Sequence, residues 1–399
     1  LVRNQPGLPK TAMRRSLLLL LSAAVAVADP KPGDEGTPGH QKAADLVKQL
    51  GHPRYATREA AAKELLKMGG PAIPALAAGT KAADEEVRTR SAALLPKVRA
   101  GEWKKRADAY LADVDGKQKH DLPLLAEFEK LTGPPTPASR KLFAEMVRAN
   151  GELLHVAAAT PDAAPAALRA RCQTLTDNLQ LAGKQLPGEL GDLAAVYFVG
   201  GRVATANADW RSAGDAAHLL ANPTLGEAIG AAEVGPAVRR LLVRWAETRP
   251  KDDLVSQQHF ALAVRNQPFP EAVQVLVKLA KSETASMLNV RAVSIDALSK
   301  IGDKDAKAAL EGMMGDATTM FRGFAAGEPD YRLGDCAFAA RVAADKKNPA
   351  DYGMAHQITF GLRFGAARGE IVRFTLRTFQ TDEDRQKALK KWTAETKKD

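Results

Sequence analysis

The sequence predicts an all-α protein, a stack of paired helices closed at its C-terminal end by a small cap that includes a β-hairpin. Three observations carry this expectation. Ala and Leu lead an apolar fraction of 45% while aromatic residues make only 5%, a composition that favours closely packed helices over sheets. One plain helical template recurs three times in distant parts of the chain. Near the C-terminus the apolar period shortens from that of a helix to the alternation of a strand. At 399 residues the chain is long for one compact core, so several domains or an elongated repeat array are expected.

Taken in chain order, the N-terminus stands outside the fold. From Met13 the chain reads Met-Arg-Arg, then an apolar run from Leu17 through Leu21 into Ser22 and small residues. It ends in Ala26-Val27-Ala28 before Asp29-Pro30. A basic segment, a short apolar segment and an A-x-A site in that order predict a secretory signal peptide cleaved after Ala28. The apolar stretch, about eleven residues, falls short of the roughly 20 that a membrane-spanning helix needs, so no stable span is expected after cleavage. Residues before Met13, with Pro6, Gly7 and Pro9, read as an upstream extension from a mis-assigned start. The protein is expected to be exported, to the periplasm or the cell exterior. No cysteine stands near the cleavage point, so no lipid anchor is suggested.

Export changes the reading of charge. Residues 1–28 carry Arg3, Lys10, Arg14 and Arg15 and no acid, which leaves 53 basic against 47 acidic residues and lowers the net charge from +10 to +6. That mild excess suits an acidic surface or polymer and is far from a nucleic-acid footprint. The two cysteines, Cys172 and Cys336, are far apart. Cys172 shares the helical stripe Leu168, Cys172, Leu175, Leu179, which favours a core thiol over a disulfide to Cys336. Residues 29–41, rich in Pro, Gly and charge, read as a flexible leader, with order beginning near Lys42.

The template then appears as "TREAAAKELLKMG" from Thr57, "VRTRSAALLPKVR" from Val87 and "VRAVSIDALSKIG" from Val290. Second-position arginines Arg58, Arg88 and Arg291 coincide, as do the small residues Ala61, Ser91 and Ser294. Leu65, Leu95 and Leu298 follow, then Met68, Val98 and Ile301. These spacings lie along one face of a helix, and the small member lets a neighbouring helix approach closely. Each unit has a short companion helix, and a lone pair of short helices cannot bury its apolar face, whereas stacked pairs form a continuous core. Pro96, inside the second unit, predicts a bend or early end there.

At these residues the chain resembles the HEAT-repeat family. The resemblance rests on the Val-Arg starts at Val87-Arg88 and Val290-Arg291, the glycine ends at Gly69 and Gly302, and the "PAIPAL" opening of the next helix. It implies a HEAT-like α-solenoid, a right-handed superhelix with a concave face used mostly as a binding surface. The boundaries follow: N-terminal repeats at 42–100, an irregular helical region at 101–250, C-terminal repeats at 251–318 and a cap at 319–399. The repeated arginines read either as an anion-binding ladder or, as is commoner in such repeats, as partners of carboxylates or carbonyls in the adjacent turn. Asp84 and Asp316 are turn residues suited to that second role.

In the middle region, "SRKLFAEMVRANGELL" places Leu142, Phe143, Met146, Val147, Asn150 and Leu154 at helical spacing. "GDLAAVYFVGGRVA" reads as a buried helix, although Val196 to Val199 is also strand-like. "PAVRRLLVRWAETRP" from Pro236 is a helix with proline at an allowed first-turn position. Residues 254–315 read as four helices in two stacked pairs. In the cap, "LGDCAFAARVAADKKNPADYG" reads as a helix closed by an Asn-Pro turn. Ile358, Phe360, Leu362 and Phe364, then Val372, Phe374 and Leu376, alternate as a β-hairpin, and Thr381 opens a short terminal helix. The cap resembles that of uncharacterised exported bacterial HEAT-repeat domain-containing proteins, on Asp335, Ala337, Ala339, Asp351, Tyr352, Gly353, Lys390, Lys391 and Trp392. Gly334 stands where that pattern has arginine. Trp392 reads first as packing on the last repeat.

Motifs of chemistry are missing from the sequence. The seven histidines never stand at i, i+4 or in H-E-x-x-H, and no C-x-x-C, G-x-S-x-G or P-loop occurs. "DVDGKQKHD" from Asp113 has its glycine too early for a calcium loop and no glutamate at the twelfth position. No cofactor, metal or nucleic acid is expected. The expectation is a non-enzymatic scaffold of the cell envelope with a protein partner, the candidate contact residues including Arg58, Arg88 and Arg291. The first alternative is a binder of acidic polymers or cell-surface polysaccharide, through Arg363, Arg368, Arg373 and Arg377 of the hairpin. The second is an enzyme whose site is assembled from distant residues without a motif.

Overall fold

A computed structural model describes residues 38–181, 189–203, 216–282, 288–323, 327–364 and 370–396. The predicted signal segment and most of the leader lie outside these residues, as does Arg368. Helix α1 (Pro38–Gln49) begins four residues before Lys42. Its first residue is proline, whose missing N–H is an orphan at that position in any helix. Helices α2 (Tyr55–Met68), α3 (Ile73–Gly79) and α4 (Glu85–Ala112) follow. Gly69 ends α2 at φ 65°, a left-handed conformation that glycine adopts without Cβ strain.

The four helices pack on one another around a small core of Ala43, Leu50, Leu65, Leu76 and Val98. The template's small members occupy the planned places: Ala61, Ser91 and Ser294 are all buried. Gly79 of α3 crosses Ser91 so closely that a Cβ on it would lie 2.4 Å from the Ser91 hydroxyl. Three template positions, Met68, Leu95 and Ile301, are only half-buried, and beside Leu95 the neighbour Leu94 takes the core place. Pro96 does not end its helix either. α4 runs on through residue 112, holding Leu94 and Val98 in the first core and Ala107 and Tyr110 in the second. Apolar burial on both sides of the proline offsets the one helical hydrogen bond it removes.

The second core occupies the rest of the stack. It takes in α5 (Leu125–Thr132), α6 (Pro137–Ala159), α7 (Ala164–Leu181), α8 (Leu190–Gly200), α9 (Pro223–Gly230) and α10 (Gly235–Glu247). α6 opens on a capping box in which Thr136 and Ser139 satisfy each other's backbone N–H groups, and it breaks helical geometry at Asn150 (φ −139°, ψ 30°). The strand-like run at Val196 is helix α8, buried along its length from Leu193 to Gly200. Gly191 allows α8 to touch the α6 backbone, since a Cβ there would stand 2.6 Å from the Glu145 carbonyl carbon. An apolar run of this kind reads equally as strand or buried helix, and close packing against α6 decides for helix.

The four helices expected next are α11 (Leu254–Asn266), α12 (Val273–Ala280), α13 (Leu288–Ile301) and α14 (Lys304–Glu311). α13, the third copy of the template, packs against α11, α12 and α14, and is closed by Gly302 at φ 60°. A short antiparallel pair not foreseen in the sequence, β1 (Thr319–Phe321) with β2 (Tyr331–Arg332), leads into α15 (Leu333–Ala344). The predicted hairpin is present as β3 (His356–Phe364) and β4 (Glu370–Thr378), with Ile358 opposite Leu376, Phe360 opposite Phe374 and Leu362 opposite Val372. α16 (Asp382–Thr396) is the last described helix, capped by the Thr381 hydroxyl, which accepts from the Asp384 N–H at 3.1 Å. The fold is all-α and HEAT-like, with a small C-terminal β-hairpin. Cys172 and Cys336 are both buried, and no disulfide joins them.

Candidate functional site

The three template arginines fold back onto the turn before their own helix. Arg58 Nη1 donates to the His52 and Pro53 carbonyls at 2.9 and 3.1 Å, and its Nε lies 3.2 Å from Glu86. Arg88 Nη1 repeats the arrangement on Ala82 and Ala83, at 2.9 and 3.3 Å. Arg291 Nε donates to the Ala280 carbonyl at 3.1 Å, where α12 ends. The Arg291 guanidinium is buried, which pulls its pKa down, while Asp316 opposes that shift. Asp84 takes a different task from the one expected: its carboxylate caps α4 by accepting from the Val87 N–H at 3.0 Å. The same residue type at the same template position thus satisfies carbonyls that a turn leaves unpaired.

The hairpin arginines stand apart. Alternation along the hairpin sends Leu362, Phe364, Val372, Phe374 and Leu376 inward, all buried. The opposite face carries Gln357, Thr359, Gly361 and Arg363 on β3 and Ile371, Arg373, Thr375 and Arg377 on β4. Arg363 and Arg373 are exposed and Arg377 is half-buried, its Nη1 3.4 Å from the Met354 carbonyl. Arg265 of α11 donates to the Arg373 carbonyl at 3.0 Å and ties the strand to the helical stack. The structure therefore separates the candidates into Arg58, Arg88 and Arg291, bonded within the stack, and Arg363, Arg373 and Arg377 on one outward face.

Other polar groups are gathered at positions that carry little signal in the sequence. Asp335, almost wholly buried in α15, receives Arg385 Nε at 2.6 Å and Nη2 at 2.8 Å, and the Thr378 hydroxyl at 2.8 Å. Hydrogen bonding to Asp335 raises the Arg385 pKa. This clamp joins α15, β4 and α16. Gly334 beside it has no room for the arginine of the family pattern, because a Cβ would lie 2.4 Å from the Met314 carbonyl oxygen. Trp392 packs edge-on against Phe338, ring centroids 6.3 Å apart, and the Arg341 guanidinium lies 5.3 Å over its ring. The signal for the clamp was a lone acid within the apolar run "LGDCAFAARV"; its partner fifty residues on carries none.

Elsewhere, Asp192 accepts from Asn150 at 2.9 Å and from Arg171, bracing the break in α6. His218 and His259 meet edge to face at 4.9 Å. In the Asp113 loop the carboxylate accepts from the Gln118 and Lys117 N–H groups at 2.9 and 3.1 Å and bonds the His120 ring at 2.9 Å. These bonds, the Gln118 N–H first, hold its pKa below the usual carboxylate value. Among the described residues, no three His, Cys, Asp or Glu side chains group as a metal site, and no helix is long and apolar enough to cross a membrane.

Stacked helical pairs whose recurring template residues serve packing and turn closure define a helical-repeat protein. Residues 246–326, from the end of α10 past β1, match the protein family described as HEAT repeats. No curated protein and no solved structure matches the chain.

Proposed function

We propose that the protein is an exported, non-enzymatic scaffold of the cell envelope, which presents its stacked helices to a protein partner. HEAT repeats generally mediate protein–protein interaction, and the match at residues 246–326 supports that class of function here. The observation that carries the reading is the use to which the template is put: its small, apolar and arginine positions serve the packing and turn closure of the helices and leave the outer faces for contact. On α2 that outer face shows Tyr55, 65% exposed, and Leu66, 43% exposed, eleven residues apart and so on one side of the helix. Export rests on the order of basic, apolar and A-x-A segments ahead of Asp29.

The test is affinity capture from envelope extract with residues 29–399 as bait, at low and high salt. A protein partner retained at high salt, and lost on the double substitution Tyr55→Ala and Leu66→Ser, is the expected result. An empty bait at both salt concentrations overturns the scaffold reading. N-terminal sequencing of the fractionated protein checks export separately, the expected first residue being Asp29.

A further inference from the structure

We propose that two copies of this chain pair through the outer edges of their β3 strands, antiparallel and centred on Phe360. The inference goes beyond the scaffold reading and rests on how the two edges of the hairpin differ. On β4, Arg265 donates to the Arg373 carbonyl at 3.0 Å and Cys336 Sγ to the Arg377 carbonyl at 3.8 Å. Those carbonyls point away from β3, and in an antiparallel ladder the N–H and C=O of one residue turn to the same side. Gly361 and Gln357, which stand opposite Arg373 and Arg377, therefore turn their backbone groups off the free side of β3, and by alternation so does Thr359 between them. The Thr359 and Thr375 hydroxyls, 3.0 Å apart, agree with this parity, since side chains stand closer in pairs that exchange no backbone bonds. Among the described residues no other strand pairs with β3, and no hydrogen bond reaches the outward N–H and C=O groups of Gln357, Thr359 and Gly361.

Nothing in β3 blunts this edge. Proteins protect open strand edges with lysines, prolines, bulges or very short strands. β3 runs nine residues without a register shift and contains no lysine and no proline. Its inward row is also unfinished: Val372, Phe374 and Leu376 of β4 are buried, while Ile358 and Phe360 of β3 are half-buried beside the open edge. The strand is complementary to itself. In antiparallel self-pairing all nine residues overlap only when Phe360 faces its own copy. Ile358 then faces Leu362, His356 faces Phe364, Thr359 faces Gly361 and Gln357 faces Arg363, so the inward row meets the inward row and no like charges are opposed. The two copies of Arg363 stand far apart along the pairing, about 20 Å at the rise of an antiparallel strand, beyond the reach of screened repulsion. A two-fold axis normal to the sheet relates the copies and keeps both inward rows on one side, where each covers Ile358 and Phe360 of the other.

Sedimentation equilibrium of the whole chain across micromolar concentrations is expected to show the average mass rising from the monomer's 42.6 kDa towards twice that value. Thr359→Pro removes an N–H that faces the second copy and leaves the ladder to β4 intact, so it deletes two hydrogen bonds per dimer and should weaken pairing about ten- to a hundredfold. Thr359→Ala loses the contact with Thr375, keeps the N–H and should pair like wild type. The register is read separately, which keeps the test decisive should proline disturb the strand. In Phe360→Cys the two introduced thiols face each other in a non-hydrogen-bonded pair, about 4.5 Å between Cα atoms and within reach of a disulfide. Oxidised glutathione should join them, leaving as two reduced molecules, and a non-reducing gel reads the doubled mass. Thr375→Cys, about 14 Å from its copy across three strand spacings, should stay single. The native Cys172 and Cys336 are buried and do not compete. A chain that stays monomeric, a Thr359→Pro variant that pairs as tightly as wild type, or a Phe360→Cys variant that crosslinks no more than Thr375→Cys overturns the proposal. Failure to capture a different protein bears on the scaffold reading alone.

Discussion

Gly151→Ala is a sharp test of how the helices meet. Gly151 sits one residue past the break in α6, and the Trp103 indole from α4 lies flat over it. A Cβ at 151 would stand 2.2 Å from Trp103 Cγ and 2.6 Å from both Cδ1 and Cδ2. These atoms are the root of a rigid ring, so relief requires the whole indole to move. It is held in place from elsewhere: the Arg106 guanidinium lies 5.2 Å from its centroid and His155 packs at 5.8 Å. Two opposed effects set the magnitude. Alanine in a helix gains about 1 kcal/mol over glycine. Overpacking a filled site costs about 1–3 kcal/mol, and the overlap here belongs at the upper end of that range. The expected net is about 1–2 kcal/mol of destabilisation, read by urea unfolding followed through tryptophan fluorescence. A double-mutant cycle with Trp103→Leu should recover most of the loss, because the smaller side chain vacates the space. Equal or greater stability of Gly151→Ala, or simple additivity with Trp103→Leu, refutes the packing argument.

Three further outcomes are expected. Ser91→Ala should stabilise the protein by about 1 kcal/mol, since the Ser91 hydroxyl is buried without a hydrogen bond, whereas Ser294→Ala loses the 2.7 Å bond to the Val290 carbonyl and should not; thermal midpoints of the two variants give the comparison. Arg385→Met should cost about 3–5 kcal/mol by leaving the Asp335 carboxylate buried with Thr378 alone, and the pair Asp335→Leu, Arg385→Met should recover much of it; denaturant midpoints decide. The Asp113 pKa lies below its unfolded value, so its contribution is whole above the ordinary carboxylate range and is lost as pH falls through the depressed folded value. Amide exchange at Lys117 and Gln118 should accordingly stay slow at pH 5 and quicken only at strongly acidic pH, with the protection removed throughout in Asp113→Ala.

Part of this arrangement was legible because it is local. The four helices from Leu254 to Glu311, the inward and outward alternation of the hairpin and the Thr381 cap follow from periods and capping residues within a few positions of one another. The two-residue strand β2 left no periodic signal, being shorter than one alternation. The early end expected at Pro96 did not occur for a related reason: its local cost was plain, while the burial of Leu94 before it and of Val98 and Tyr110 after it depends on helices from two different cores. The candidate arginines divide in the same way. Residue type and spacing marked all of them, but only the fold distinguishes Arg291, buried against the Ala280 carbonyl, from Arg373 on an open face.

The sequence by itself determined the helical class, the thrice-used template and the alternation of the cap, because backbone period and small-residue spacing are properties of short segments. Only the tertiary structure decided that α8 is a helix, that Gly334 has no space for a side chain and that Asp335 is clamped by Arg385, fifty positions away. Such outcomes depend on which backbones come within van der Waals reach and on which buried charge finds a partner. Chain separation hides both, and packing resolves them together.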